Sequence, residues 1–118
     1  MGSYKNSVPL SKRKMDSTRV LVKYPEYIPV IIDSCDELSK ILSKKKYLVL
    51  KDNTCANLLV NIRKNAKNKI DSQKAIFVFC NDILIMPHDS IQQLYEKYKD
   101  KEDNYLYLYL AYENTFGN

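Results

Sequence analysis

The chain holds two glycines, Gly2 and Gly117, and the second stands in Thr115-Phe116-Gly117-Asn118, behind an aromatic and ahead of a single Asn. A chain terminus is ordinarily polar and expendable. Here an alternating Tyr/Leu run leads almost straight into that Phe-Gly pair. Residues suited to nucleophilic or metal chemistry are sparse. Cys35, Cys55 and Cys80 are widely spaced and give neither a disulfide framework nor metal-ligand spacing, which fits a reducing cytosol. A nucleophile built from Cys80 and the lone His88 would need a third group to orient the imidazole, and the sequence offers none. Met1-Gly2 opens like a myristoylation signal, but that signal wants Ser or Thr where Asn6 stands. Neither a catalytic site nor a metal site is expected.

Charge is the second resource. Nineteen Lys/Arg against fourteen Asp/Glu give a net +5, unevenly spread. Residues 1–25 carry Lys5, Lys12, Arg13, Lys14, Arg19 and Lys23 against Asp16 alone, and residues 40–51 carry five lysines and no acid. Such blocks suit nucleic acid, anionic lipid or acidic peptide, or simply a solvated face. A nucleic-acid module should also show an RNP-like string or a reader helix, and neither is present. The longest apolar run, residues 28–32, is five residues even counting Pro29, too short to span a bilayer, and no signal peptide is recognised. With 45% hydrophobic and 28% charged residues, one ordinary globular domain is expected.

The elements that must position these groups read as follows. Residues 10–24 form a short basic helix, capped by Ser11 and ended by Pro25. Ile28, Val30 and Ile32 mark a strand, with Pro29 near its start or on an exposed edge. The Ser/Asp-rich stretch to Ser43 is loop, and residues 47–50 are a second strand, antiparallel to the first through the local connection. Thr54 caps a helix whose Cys55, Leu58, Leu59, Ile62 and Ala66 fall on one stripe. Residues 75–80 are a strand, Asn81-Asp82 a hairpin turn and residues 83–85 a short return strand. Ser90 caps a helix with Ile91, Leu94, Tyr95 and Tyr98 on one face, and residues 105–110 alternate Tyr and Leu. That order is the one used by an α+β ubiquitin-like β-grasp with a mixed sheet, here with an extra N-terminal helix or helices. The Leu face must pack on the two striped helices. The Tyr face is too aromatic for water and is partly covered by the N-terminal helix. The chain divides into a helical extension (1–25), a β-grasp core (26–112) and a tail (113–118).

In register from Tyr4 to Asn118, the strings KYPEYIPVI, KKKYLVL, NIRK, KAIFVFCND, LYEKYKD and ENTFG resemble the autophagy-related protein eight family, the GABARAP-like ubiquitin-like modifiers. The resemblance implies that a cysteine protease removes Asn118, after which E1-like and E2-like enzymes join Gly117 to phosphatidylethanolamine. Gly117 has no Cβ, so an extended tail threads a narrow enzyme channel, and Phe116 gives that channel an apolar handle. The diacyl lipid supplies the two chains that stable anchoring needs. Such a chain is a substrate rather than an enzyme and carries no cofactor besides that lipid. The resemblance further implies a cytoplasmic monomer that moves to autophagosomal or other organelle membranes, and no nucleic-acid partner is expected.

The resemblance also implies a peptide site. Cargo receptors and adaptors with aromatic-x-x-aliphatic motifs, preceded by acidic residues, add a strand to the edge at residues 46–49. The aromatic pocket maps to Asp16, Val20, Pro29, Ile31, Lys46, Leu48 and Tyr105, with Asp16 and Tyr105 in place of the commoner Glu and Phe. The aliphatic pocket maps to Tyr47, Val49, Leu50, Asn53, Leu58 and Asn61. Relatives usually carry Pro at Leu50 and Leu at Asn53 and Asn61. Two amides buried unpaired there would cost ~1–3 kcal/mol each. Lys44, Lys45, Lys46, Arg63 and Lys64 would meet the acidic flank, while an Arg frequent at the Tyr27 position is missing and Asn65 replaces a usual basic residue. Phe77 and Phe79 match an aromatic pair linked to enzyme and membrane contact, and period-two alternation equally allows them to be core. Two other readings are a peptide-binding paralogue that is not lipidated and a protein-conjugating sister modifier.

Overall fold

The computed structural model describes residues 3–67, 69–71 and 73–112. In chain order the elements are α1 (Tyr4–Ser7), α2 (Leu10–Lys23), β1 (Tyr27–Ser34), α3 (Asp36–Ser39), β2 (Lys46–Leu50), α4 (Cys55–Asn65), β3 (Phe77–Cys80), β4 (Ile83–Ile85), α5 (Ile91–Tyr98) and β5 (Leu106–Ala111). The five strands form one mixed sheet in the order β2-β1-β5-β3-β4. Its central pair, β1 and β5, is parallel and the other pairs are antiparallel. This is the expected α+β class.

Local chemistry accounts for most boundaries. Thr54 Oγ1 accepts from the Asn57 backbone N–H, and Asn57 Oδ1 accepts in return from the Thr54 N–H at 2.8 Å, a reciprocal cap for α4. Ser90 Oγ accepts from Gln93 N–H at the start of α5. The start of α4 also draws on the segment ahead of α5: Cys55 N–H donates to Asp89 O, and Ala56 N–H to Pro87 O, each at 2.9 Å. Asn81 and Asp82 both have positive φ, at 51° and 66°, as a two-residue turn with the twist of the hairpin requires.

Two expectations need correction, and a third, on Pro29, is resolved to one of its alternatives. Pro9, not Ser11, is the N-cap of α2, and no side chain caps it; the ring's fixed φ of −60° leads the backbone into the helix. The stretch to Ser43 contains the single helical turn α3, because Leu38 is fully buried in the core and draws that turn onto the sheet. Pro29 lies near the start of β1, as its third residue, and inside the sheet. It is tolerated because the even-numbered residues of β1 bond β2, as Ile32 N–H to Lys45 O shows, while the ladder to β5 starts only at Val30.

The main core lies between one sheet face and α4 and α5. Ile28, Val30 and Ile32 of β1 and Leu106, Leu108 and Leu110 of β5 meet Leu58, Ile62, Ile91 and Leu94 there. Each such side chain contributes ~1.5–3 kcal/mol by leaving water. On the opposite face, α1 and α2 cover part of the Tyr side of β5, as the alternation requires. Ile31, Tyr4 and Tyr105 form a second buried cluster with Val8 and Tyr107 against it. The Tyr4 and Tyr105 rings meet edge to face at 6.1 Å. Tyr109, beyond the helices, remains 42% exposed.

One polar joint crosses this second layer. Asp103, fully buried, accepts from Arg13 Nη1 at 2.6 Å and from the Tyr107 hydroxyl at 2.5 Å. Its other carboxylate oxygen accepts from Tyr105 N–H, and its backbone carbonyl accepts from Ser17 Oγ. Arg13 Nε completes the joint by donating to Val8 O. Burial and the hydrogen bond to Asp103 push the Tyr107 phenol well above its ordinary range.

Candidate peptide-binding edge

β2 is an edge strand with alternating burial: Tyr47 and Val49 enter the main core, while Lys46, Leu48 and Leu50 face the α2 side. Since the even residues of β1 bond the odd residues of β2, the backbone groups of Lys46 and Leu48 point away from the sheet. Beside that open rim lies a pocket of about 200 Å³. α2 supplies Asp16, Arg19 and Val20 to it, β1 supplies Pro29, and β2 supplies Lys46, Tyr47 and Leu48. Tyr105, just ahead of β5, completes the lining.

Six of the seven residues expected for an aromatic pocket therefore lie together. Ile31 is the exception. It is 0% exposed within the Tyr4–Tyr105 cluster and supports Tyr105 from below. Arg19 was missed, although its spacing of three from Asp16 on a helix places both on one face. Tyr47 was assigned to the other pocket and lines this one as well.

The pocket wall is electrostatically set. Burial alone would raise the Asp16 carboxyl, but Lys12 Nζ at 3.1 Å and Lys46 Nζ at 3.5 Å outweigh it and hold the group below the usual carboxylate range. Burial pushes the Tyr105 phenol strongly up, helped by Tyr4, Asp16 and Asp103. The mouth thus combines an anionic carboxylate, two lysines, a neutral phenol and the half-exposed Leu48.

The aliphatic-pocket residues lie on both faces of β2 and beyond it. Tyr47, Val49 and Leu58 are buried in the main core, whereas Leu50 is 42% exposed on the opposite side of β2. Asn53 is half-buried, its N–H donating to Leu50 O and its carbonyl accepting from Ile91 N–H, and Asn61 is exposed. Among the basic candidates, Lys45 pairs with Asp33 at 3.2 Å and Lys44 lies over the Tyr47 ring. Arg63 Nη2 donates to Lys74 O, and Lys64 is exposed. Phe77 is half-buried and Phe79 buried, both on the face opposite Val78 and Cys80. Phe79 lines a larger cavity of about 410 Å³ with Asp33, Asp82, Tyr107 and Tyr109, over β1, β5 and β3. The smaller pocket is the one that adjoins an open strand edge.

Cys55 and Cys80 are buried, and burial pushes both thiols up to about 11, with Asp89 adding to the effect on Cys55. Such thiols are poor nucleophiles at neutral pH. His88 is exposed, 3.9 Å from Asp89. Phe116, Gly117 and Asn118 lie outside the described residues. Among the described residues no helix is long and apolar enough to cross a membrane.

The family described as "Autophagy protein Atg8 ubiquitin like" matches residues 12–117. Autophagy-related protein 8 of Dictyostelium discoideum is 40% identical over 100% of this chain and 96% of its own length. Autophagy-related protein 8b of Arabidopsis thaliana is also 40% identical, over 98% and 93%. Among solved structures, Trypanosoma brucei ATG8 superposes with a TM-score of 0.81 at 28% identity, covering 99% of both chains. Plasmodium falciparum Atg8 in complex with a Plasmodium falciparum Atg3 peptide gives 0.79 at 29%, covering 96% and 98%. The chain belongs to the Atg8 family of ubiquitin-like autophagy proteins.

Proposed function

We propose that this chain is cut after Gly117, joined through that residue to phosphatidylethanolamine by E1-like and E2-like enzymes, and then recruits partners with aromatic-x-x-aliphatic segments to the membrane. In this reading it is a substrate and a receptor and catalyses nothing. The observation that carries the receptor half is the open β2 rim beside the Asp16–Leu48–Tyr105 pocket, where an added strand gains main-chain hydrogen bonds and places an aromatic anchor. Lys46 beside Asp16 and the exposed Lys64 suit an acidic flank, each surface pair adding ~0–1 kcal/mol. The relative bound to an Atg3 peptide supports an E2-like enzyme among the partners. The conjugation half rests on the Phe116-Gly117-Asn118 ending.

Reconstitution tests both halves. With the processing protease, the E1-like and E2-like enzymes and phosphatidylethanolamine liposomes, the chain should lose the mass of one Asn and then float with the membrane. Gly117→Ala should block both steps, because a Cβ enters the tightest part of the enzyme channel. Floated protein should capture an aromatic-x-x-aliphatic peptide, and Leu48→Ala should weaken that capture without unfolding. Normal flotation of Gly117→Ala would overturn the conjugation half, and unchanged capture by Leu48→Ala the receptor half.

A further inference from the structure

Beyond the aromatic pocket, the α2 face of β2 continues as an exposed apolar surface. Leu50 pairs across the strands with Tyr27, just as Leu48 pairs with Pro29. Tyr27 and Leu50 occupy a pair that does not exchange hydrogen bonds, since Lys51 N–H bonds Glu26 O one step further on. Side chains in such pairs lie closest. A turn brings in a third member: Pro25 sits inside Tyr24-Pro25-Glu26-Tyr27, whose ends are joined by Tyr27 N–H to Tyr24 O at 3.0 Å. The Tyr24 and Tyr27 rings meet edge to face at 6.3 Å and 85°. Tyr24 is 40% exposed and Leu50 42%. This is a fixed apolar platform, one side-chain repeat along the rim from the pocket.

We infer that this platform reads the peptide residue two positions after the aromatic anchor and selects an aliphatic or aromatic side chain there over a carboxylate. The inference rests on the proposed addition of a peptide strand to β2. An extended peptide turns residues i and i+2 to the same face and i+3 to the other. The resemblance places the aromatic anchor beside Leu48 and the aliphatic residue towards Val49 and Asn53, and a strand in that direction runs parallel to β2. Residue i+2 then lies over Leu50, Tyr24 and Tyr27, and i+3 turns to the α4 side. Apolar surface leaves water on both partners only when i+2 is itself apolar. Lys23 Nζ lies over the Tyr24 ring, 5.5 Å from its centroid, which makes an acidic residue the informative competitor.

Fluorescence anisotropy with three peptides decides it. All carry the same acidic flank, Trp anchor and final Leu, and differ only in Phe, Leu or Asp at i+2. The full-length chain should bind the Phe and Leu peptides about five- to tenfold more tightly than the Asp peptide. Tyr27→Arg should erase or reverse that order while leaving the melting temperature near that of wild type. Leu50→Asn, at a more exposed site, should narrow it independently. Equal affinity of the three peptides for wild type, with binding still lost in Leu48→Ala, overturns the platform and leaves the receptor reading standing. No binding by any of them overturns both.

Discussion

At the scale of single residues, Asp16 shows how this site is tuned. Its carboxylate is nearly buried in the pocket wall, yet it stays ionised because Lys12 and Lys46 outweigh the desolvation. The linkage has a definite sign. The folded value is depressed below the ordinary 3.8, so the carboxylate contributes stability that is fully present above that value and lost as pH falls through the folded one. Asp16→Asn keeps the shape and removes the titration. Urea unfolding at neutral pH should therefore show the variant less stable than wild type, with the gap shrinking once pH drops well below 3.8. A gap of constant size across that range would mean that the loss came from shape or hydrogen bonding and not from charge.

At the scale of elements, the docking of α2 on the sheet turns on the Arg13–Asp103 joint rather than on apolar contact alone. Both groups are nearly or fully buried and the pair is 2.6 Å apart. Removing one member of a buried pair leaves an uncompensated charge, typically ~3–5 kcal/mol of destabilisation. Arg13→Ala should approach that range in denaturant unfolding, while Lys14→Ala, one residue on and exposed, should be nearly neutral. Similar small effects from both would show that α2 is held by packing. This joint was not legible in the sequence, because Arg13 and Asp103 are 90 residues apart and nothing local distinguishes either from its charged neighbours. The α4 cap, the Asn81–Asp82 turn and the Tyr/Leu alternation of β5 were legible because each is written in contiguous residues. Pro29 was legible only as one of two alternatives, for the complementary reason. Its place inside the sheet depends on where the ladder to β5 begins, which is a property of the partner strand.

At the scale of the whole molecule, the sheet is a shared wall with a core on each side, and the proposed peptide pocket lies on the side that the N-terminal helices build. Composition and periodicity led to the β-grasp, but only the resemblance pointed to the pocket, since Val20, Ile31 and Leu48 read equally well as core. The fold makes the dependence explicit. Asp16, Arg19 and Val20 of α2 form one side of the pocket, and the same N-terminal layer, through Tyr4 of α1 and Val8, packs on Ile31 and Tyr105, at 0% and 2% exposure. Deleting residues 1–24 would strip cover from those two side chains, at ~1.5–3 kcal/mol each if fully exposed, and would take away Arg13 from Asp103. Set against a typical total of ~5–15 kcal/mol, the loss is large but the main core around Leu58, Ile62 and Leu106 is untouched. The truncated chain should therefore retain sheet and helix signals by circular dichroism, unfold at markedly lower urea, bind a hydrophobic dye, and lose the aromatic-motif peptide altogether. An unchanged unfolding midpoint together with unchanged peptide affinity would show that the second layer is ornamental to both fold and site. Lost stability with retained affinity would move the binding surface to the α4 side of β2.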